Sequence, residues 1–418
     1  MHWIVRGTCG GLIFATGLAT AASTPDGTHL LQTVRKAVAT ADVPALAELY
    51  RHPPDAAARA LAAMGLERIH YNLDQSSADA RLCERALFDT RPGVAYFCAV
   101  FDNGNLRLGK GRAVADAAET AIADRFAGRM PEPRLDHLRD YAKAHAGEAP
   151  LGIDMPDHDF TLPLEHAPGD DRGALVVSAN GAKARLVMDT GASDIVLDAA
   201  TAKRLGVRMS GRDHYTNGIL SRDVAFETGT LDNLAIGPVT LHHVPVSVGH
   251  SRSRLIGLDV LKMLGTFRIA HDILTVYRTP AHRPACEQPL LIASGPWGNS
   301  VRATVALSIQ GKLRTALIDS GSAFYLSADG PAMQELTTIY AHRMRLHDIG
   351  PRTHAARVGQ ATARVVISGQ PIEMTFGVFK DANLPWHYVL GSEALNDMDF
   401  YFDFPGRHSC QLLHADLH

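Results

Sequence analysis

Two aspartates in this sequence share one local pattern. Residues 186–193 read Leu-Val-Met-Asp-Thr-Gly-Ala-Ser, and residues 316–323 read Ala-Leu-Ile-Asp-Ser-Gly-Ser-Ala. Each Asp ends an apolar run and is followed by a small hydroxyl residue and Gly. Downstream, each copy has two apolar residues and a Gly: Leu255-Ile256-Gly257, 68 residues after Asp189, and Val389-Leu390-Gly391, 72 residues after Asp319. One such motif alone reads as a turn with an Asx hydrogen bond. Two copies predict a shared site. Like charges at short range cannot both ionise, so one carboxyl keeps a proton while the other is a base. A water between them can lose a proton to one as the other protonates a carbonyl. That is hydrolysis without metal or covalent intermediate. Asp189 and Asp319 are the candidate catalytic pair. Thr190, Gly191, Ser320, Gly321 and Ser322 form their loops, with Thr190 and Ser320 able to bond across to the opposite loop. A Ser322 hydroxyl could donate to Asp319, which Ala192 cannot do for Asp189. This predicts Asp319 as the ionised partner and Asp189 as the protonated one.

The elements that must carry these loops repeat as well. Ala174–Ser178 reads as a strand, Asn180-Gly181 as a hairpin turn and Ala184–Met188 as the return that delivers Asp189. Val301–Ile309, Gln310-Gly311 and Leu313–Ile318 do the same for Asp319. After the second Gly, Gly257-Leu258-Asp259-Val260-Leu261 matches Gly391-Ser392-Glu393-Ala394-Leu395. Strand-like returns follow at Thr266–Tyr277 and Phe400–Leu413. The pattern is that of a duplication into two β lobes, 155–285 and 286–418. Glu148–Asp157 reads as a linker, and Pro280–Pro289 as the connection between lobes.

Residues 28–150 read differently, as a mainly α-helical accessory domain. Leu30, Leu31, Val34 and Val38 follow helical spacing, as do Leu46, Leu49 and Tyr50. Pro44 and Pro54 mark helix starts, and 113–127 is an Ala-rich helix signal. Gly93–Phe101 reads as a strand, with Asn103-Gly104 as a turn. The segment is either a structural or interaction module, or a prosegment that blocks the site until removed.

The chain has 418 residues, too many for one ordinary core, and 46% hydrophobic against 20% charged residues. A formal net charge of −3 gives no reason to expect nucleic acid as partner. The 21 histidines are scattered and form no metal-binding motif, so no metal and no cofactor are expected. Arg6, the small apolar stretch Gly10–Thr20 and Ala19-Thr20-Ala21 read as a signal peptide over 1–21, hence export to a periplasm or outside the cell. No stretch is long and apolar enough for stable membrane insertion after its removal. Cys9 lies in that signal. The remaining Cys83, Cys98, Cys286 and Cys410 are an even set, which favours disulfides in an exported protein. Cys83 with Cys98 would be local, and Cys286 with Cys410 would tie the start of the last lobe to its end. The alternative is four free buried thiols.

On the paired motif, residues 155–418 resemble the aspartic peptidases of the retropepsin and pepsin type. Asp-Thr-Gly-Ala-Ser is similar to the retroviral and bacterial retropepsin-like form, and the duplicated single chain is similar to pepsin. The resemblance implies a β-barrel in each lobe, a peptide cleft between them, the dyad Asp189/Asp319 and a peptide or protein substrate. It also implies a flap hairpin over the cleft. Arg212–Phe226 and His347–Gln360 are the candidates by position, with Tyr215 as a possible flap tyrosine or a surface aromatic. Duplication makes a dimer unnecessary for catalysis. Together with the signal-like N-terminus, the resemblance implies an exported aspartic endopeptidase. The competing readings are a non-catalytic peptide- or protein-binding relative and a β-sandwich adhesin. The adhesin explains neither Gly257 nor Gly391.

Overall fold

The computed structural model describes residues 25–251, 253–279, 283–286, 288–382 and 385–414. The expected signal peptide, with Cys9, lies outside these residues, as do Pro280 and Glu287 of the inter-lobe connection. The described chain divides into two compact units: residues 151–290 with 302–414, and residues 25–150 with Leu291–Val301.

The second unit is helical: α1 (Pro25–Thr40), α2 (Val43–Arg51), α3 (Ala56–Ile69), α4 (Leu73–Leu87), α5 (Pro92–Lys110), α6 (Arg112–Arg125) and α7 (Glu132–Ala144). Asp42 and Asp55 cap α2 and α3 by accepting from the Ala45 and Ala58 amides at 3.1 and 2.8 Å. Pro44 sits in the first turn of α2. The sequence expectation of a strand at Gly93–Phe101 and a turn at Asn103-Gly104 is corrected here, because both lie inside α5. Val94, Ala95 and Phe97 through Phe101 are all buried, so α5 is covered on most sides. A helix without a polar face loses its 3.6-residue signature and reads like a buried strand. A disulfide joins Cys83 on α4 to Cys98 on α5.

The first unit is mainly β, and its strands repeat in order. The first lobe has β1 (Gly152–Asp154), β2 (Phe160–Pro163), β3 (Ala174–Ala179), β4 (Ala182–Asp189), β5 (Ile195–Asp198), the helix α8 (Ala199–Leu205), β6 (Arg208–Thr216), β7 (Val224–Ile236), β8 (Val239–Gly249), β9 (Leu255–Gly257), the helix α9 (Leu258–Leu261), β10 (Thr266–Ile269) and β11 (Ile273–Tyr277). The second has β12 (Gln288–Ala293), β13 (Arg302–Ile309), β14 (Lys312–Asp319), β15 (Leu326–Asp329), β16 (Thr338–His347), β17 (Thr353–Ile367), β18 (Gln370–Phe379), β19 (Tyr388–Gly391), β20 (Met398–Asp403) and β21 (Cys410–Leu413). In the first lobe the ring β3-β4-β9-β5-β8-β7 closes back on β3. In the second, β13-β14-β19-β15-β18-β17 closes back on β13. The same pairs are parallel in both: β4 with β9 and β5 with β8, then β14 with β19 and β15 with β18.

The turns explain part of this. Asn180 and Gly181 have φ of 50° and 77°, and Gln310 and Gly311 have 50° and 75°. Two successive left-handed residues give the tight turn that matches strand twist. Each return stretch is itself a hairpin, β10–β11 and β20–β21, and β10 pairs with β20 from Thr266↔Asp403 to Ile269↔Phe400. The row β2-β11-β10-β20-β21-β12 therefore joins the two lobes in one sheet. Phe267, Phe402 and Phe404 pack together on that sheet, and Cys286 is bonded to Cys410 of β21.

Candidate active site

Both aspartates end strands at equivalent places. Asp189 closes β4 and pairs in register with Gly257 of β9, and Asp319 closes β14 and pairs with Gly391 of β19. The downstream glycines found by spacing are thus the strand partners of the aspartates. A side chain at Gly257 would strike the backbone of Ala192 and Ser193, and one at Gly391 that of Ser322 and Phe324. The carboxylates face each other's loops. A methyl added to Gly191 would lie 2.5 Å from Asp319 Cγ, and one added to Gly321 would lie 2.5 Å from Asp189 Cγ. The hydroxyl residues lock the loops by crossed bonds. Thr190 Oγ1 donates to the Ile318 carbonyl at 2.8 Å and accepts from the Ser320 amide at 3.1 Å. Ser320 Oγ donates to the Met188 carbonyl at 2.7 Å and accepts from the Thr190 amide at 3.1 Å. Each hydroxyl thereby holds the residue just before the opposite Asp.

Asp189 and Asp319 are 9% and 7% exposed. Burial pushes both carboxyls up from the ordinary range. Asp319 goes further, because the Asp189 charge and a hydrogen bond with Asp189 add to burial. Asp189 is held lower by that bond, by Arg302 and by the Gly191 and Ala192 amides. The carboxyl raised further is thus Asp319, the reverse of the expectation drawn from Ser322. The Ser322 hydroxyl makes no hydrogen bond to Asp319 among the described residues. It is the Gly321 amide that donates to Asp319 Oδ1, at 3.0 Å. A side-chain donor one residue too far along was credited with what a backbone amide does.

Sequence reasoning missed two arginines. Arg302, at the start of β13, donates to Ser193 Oγ across the lobes, and its charge pulls both carboxyls down. Arg172, held by Asp170 through bonds of 2.8 and 2.6 Å, also senses both carboxylates. The repeat contains the signal: each Arg stands 17 residues before its lobe's Asp.

The two flap candidates are hairpins, β6–β7 and β16–β17. Tyr215 lies half-buried on β6 opposite Ala225, and among the described residues no hydrogen bond joins it to either carboxylate. The hairpin tips meet instead. Asp348 accepts from the Leu220 amide, the Ser221 amide and Ser221 Oγ at 2.9, 2.8 and 2.7 Å. Ile349 packs with Ala192 and Val187 against Val196, Val224, Phe226 and Leu255. The second lobe's hairpin thus reaches the loop of the first lobe's aspartate. Elsewhere, His166, His271 and Asp272 lie close enough together to be metal ligands. The two rings, however, stack at 4.4 Å and 4°, so their in-plane lone pairs do not converge.

Residues 175–263 match the family described as gag-polyprotein putative aspartyl protease. No curated protein matches the chain. Among solved structures it is similar to an aspartic proteinase from Irpex lacteus, at 11% identity over 62% of this chain and 98% of that one, with a TM-score of 0.41. It is also similar to a retropepsin-like aspartic protease from Rickettsia conorii, at 22% identity over 30% and 92%, with a TM-score of 0.23. Basic 7S globulin from soybean shares 12% identity over 63% and 96%, with a TM-score of 0.39. By the match across 175–263, and by a second lobe that repeats the strands of the first, the chain is recognised as similar to the retropepsin- and pepsin-like aspartic peptidases.

Proposed function

We propose that this protein is an exported aspartic endopeptidase that hydrolyses peptide bonds with Asp189 and Asp319. The observation that carries the reading is reciprocity: each loop glycine lies against the opposite carboxylate, and each loop hydroxyl holds the strand end of the opposite Asp. A structural turn has no need of a second buried carboxylate at its face, since two buried carboxyls cost stability. Asp189 Oδ1 is buried with no hydrogen-bond partner among the described residues, so it is free to accept a proton from an attacking water. Asp319 delivers its proton to the carbonyl oxygen. The tetrahedral species then collapses as a proton passes to the leaving amine, and both carboxyls return to their starting states.

Export rests on the signal-like N-terminus and on two disulfides, which persist in oxidising compartments. Among the described residues no helix is long and apolar enough to cross a membrane. The test is a peptide library incubated with purified mature protein from acid to neutral pH, with and without pepstatin. Pepstatin-sensitive cleavage lost in Asp189→Asn is the expected result. Tight peptide binding without cleavage at any pH would sink the peptidase reading and leave the peptide-binding one.

A further inference from the structure

The helical unit contains a stretch that does not come from the N-terminal part of the chain. Leu291–Val301, which runs covalently from β12 into β13, belongs to it. Arg68 on α3 is fully buried and ties this stretch to α5. Its Nη1 donates to the Gly295 and Pro296 carbonyls at 3.0 Å each. Its Nε donates to Asn105 Oδ1 at 2.7 Å, its Nη2 donates to the Phe101 carbonyl, and its guanidinium lies over the Phe101 ring. Asn105 is held in turn by Ser76 at 2.8 Å. Arg107 Nη1 donates to the Trp297 carbonyl at 2.9 Å.

Close packing completes the cradle. Gly104 and Gly298 touch backbone to backbone, and a side chain on either would strike the other strand of the contact. This accounts for Asn103-Gly104-Asn105 in the middle of a helix. A Gly there costs about 1 kcal/mol against Ala, and it is the residue that lets a second backbone approach. The Trp297 ring packs on the apolar cluster of Ala95, Ala99, Ile122 and Phe126. The Ser294 amide donates to the Val38 carbonyl at the end of α1.

We infer that the helical unit is a permanent clamp on Ser294–Asn299 and not a prosegment that can be removed. A cut in the exposed stretch 146–150 would break only one covalent path. The clamped segment would still be part of the chain that carries both aspartates. Among the described residues no disulfide bridges the two units, so non-covalent grip decides retention. Release would break the Arg68 and Arg107 bonds to the Gly295, Pro296 and Trp297 carbonyls and expose the apolar cluster that Trp297 covers.

The test places a site for a specific endoprotease between Ala146 and Pro150 of the full chain, cuts there, and follows the nicked protein by size exclusion with light scattering. One species of full-length mass in native buffer, and two fragments in denaturant, is the expected result. Separation in native buffer overturns the inference. In the nicked background, Arg68→Met and Trp297→Ala should each raise the protein concentration needed to keep the pieces together, through a dissociation constant raised at least about tenfold. Trp297 is only partly buried, so its variant reports even where Arg68→Met does not fold. Retention as tight as in the parent in both variants would also overturn the inference, because the segment would not be the tie. Turnover is not read, so the result stands apart from whether the dyad cleaves peptides.

Discussion

At the scale of single residues, Asp189 and Asp319 differ from each other although their motifs match. Asp189→Asn and Asp319→Asn should each lower turnover by about 10²–10⁴-fold, because Asn can neither take nor give the proton. Retained cleavage in a clean preparation of either would remove the dyad from the mechanism. The linkage has a definite sign. A carboxyl raised in the folded state contributes stability below its unfolded pKa, and that contribution is lost as pH rises through the folded value. Asp319→Asn should therefore gain stability relative to the parent as pH goes from 4 to 7, read as a rising difference in urea midpoint; an equal difference at both pH values would refute the raised pKa. Arg302 acts the other way. Replacing it with Met removes a charge that pulls both carboxyls down, so both limbs of the pH–rate profile should move toward neutral. Ser322→Ala should leave the limbs where they are.

At the scale of elements, what the sequence made legible was what sits close along the chain. The Asn-Gly and Gln-Gly turns, the strands they join and the Gly257 and Gly391 registers follow from short patterns and their repetition. The crossed Thr190 and Ser320 bonds were anticipated as a possibility, because small hydroxyls at matched positions have few other uses beside a buried carboxylate. α5 was misread because burial on most sides erased its periodicity. The meeting of the hairpin tips was invisible, since Asp348 and Ser221 stand 127 residues apart and neither motif repeats. That contact has its own expected behaviour. Burial raises the Asp348 carboxyl, but the Ser221 hydroxyl and the Gly350, Leu220 and Ser221 amides outweigh it and hold it below the usual carboxylate range. A depressed pKa contributes stability above the unfolded value that is lost only as pH falls through the folded one. The tips should stay joined at pH 5 and part only below the ordinary Asp range. Hydrogen exchange at the Leu220 and Ser221 amides checks this, with Asp348→Ala showing fast exchange already at pH 7. Equal protection in parent and variant would mean that the carboxylate does not hold the tips.

At the scale of the whole molecule, duplication has put into one chain what a single lobe lacks. Each ring supplies one carboxylate and one loop glycine, and each needs the other's to complete the site. The sheet β2-β11-β10-β20-β21-β12 fixes the two rings together by main-chain bonds, and Cys286–Cys410 closes the second lobe onto it. In the chain-entropy picture a closed loop of this length is worth about 4–5 kcal/mol, against about 3 for the short Cys83–Cys98 loop. Within one chain the two carboxyls are therefore paired by unimolecular terms, from which no role for mass action is expected. A site assembled from two copies behaves otherwise, since its active fraction falls once dilution passes the dissociation constant. The expected outcome is a specific activity that stays constant when the purified protein is diluted from micromolar to low nanomolar concentration in carrier protein. A mixture of Asp189→Asn and Asp319→Asn chains should also remain inactive, because a lobe held to its own partner lobe is not exchanged for the intact one of another chain. Activity that falls on dilution, or that appears on mixing the two variants, would show that the working site takes a carboxylate from a second copy.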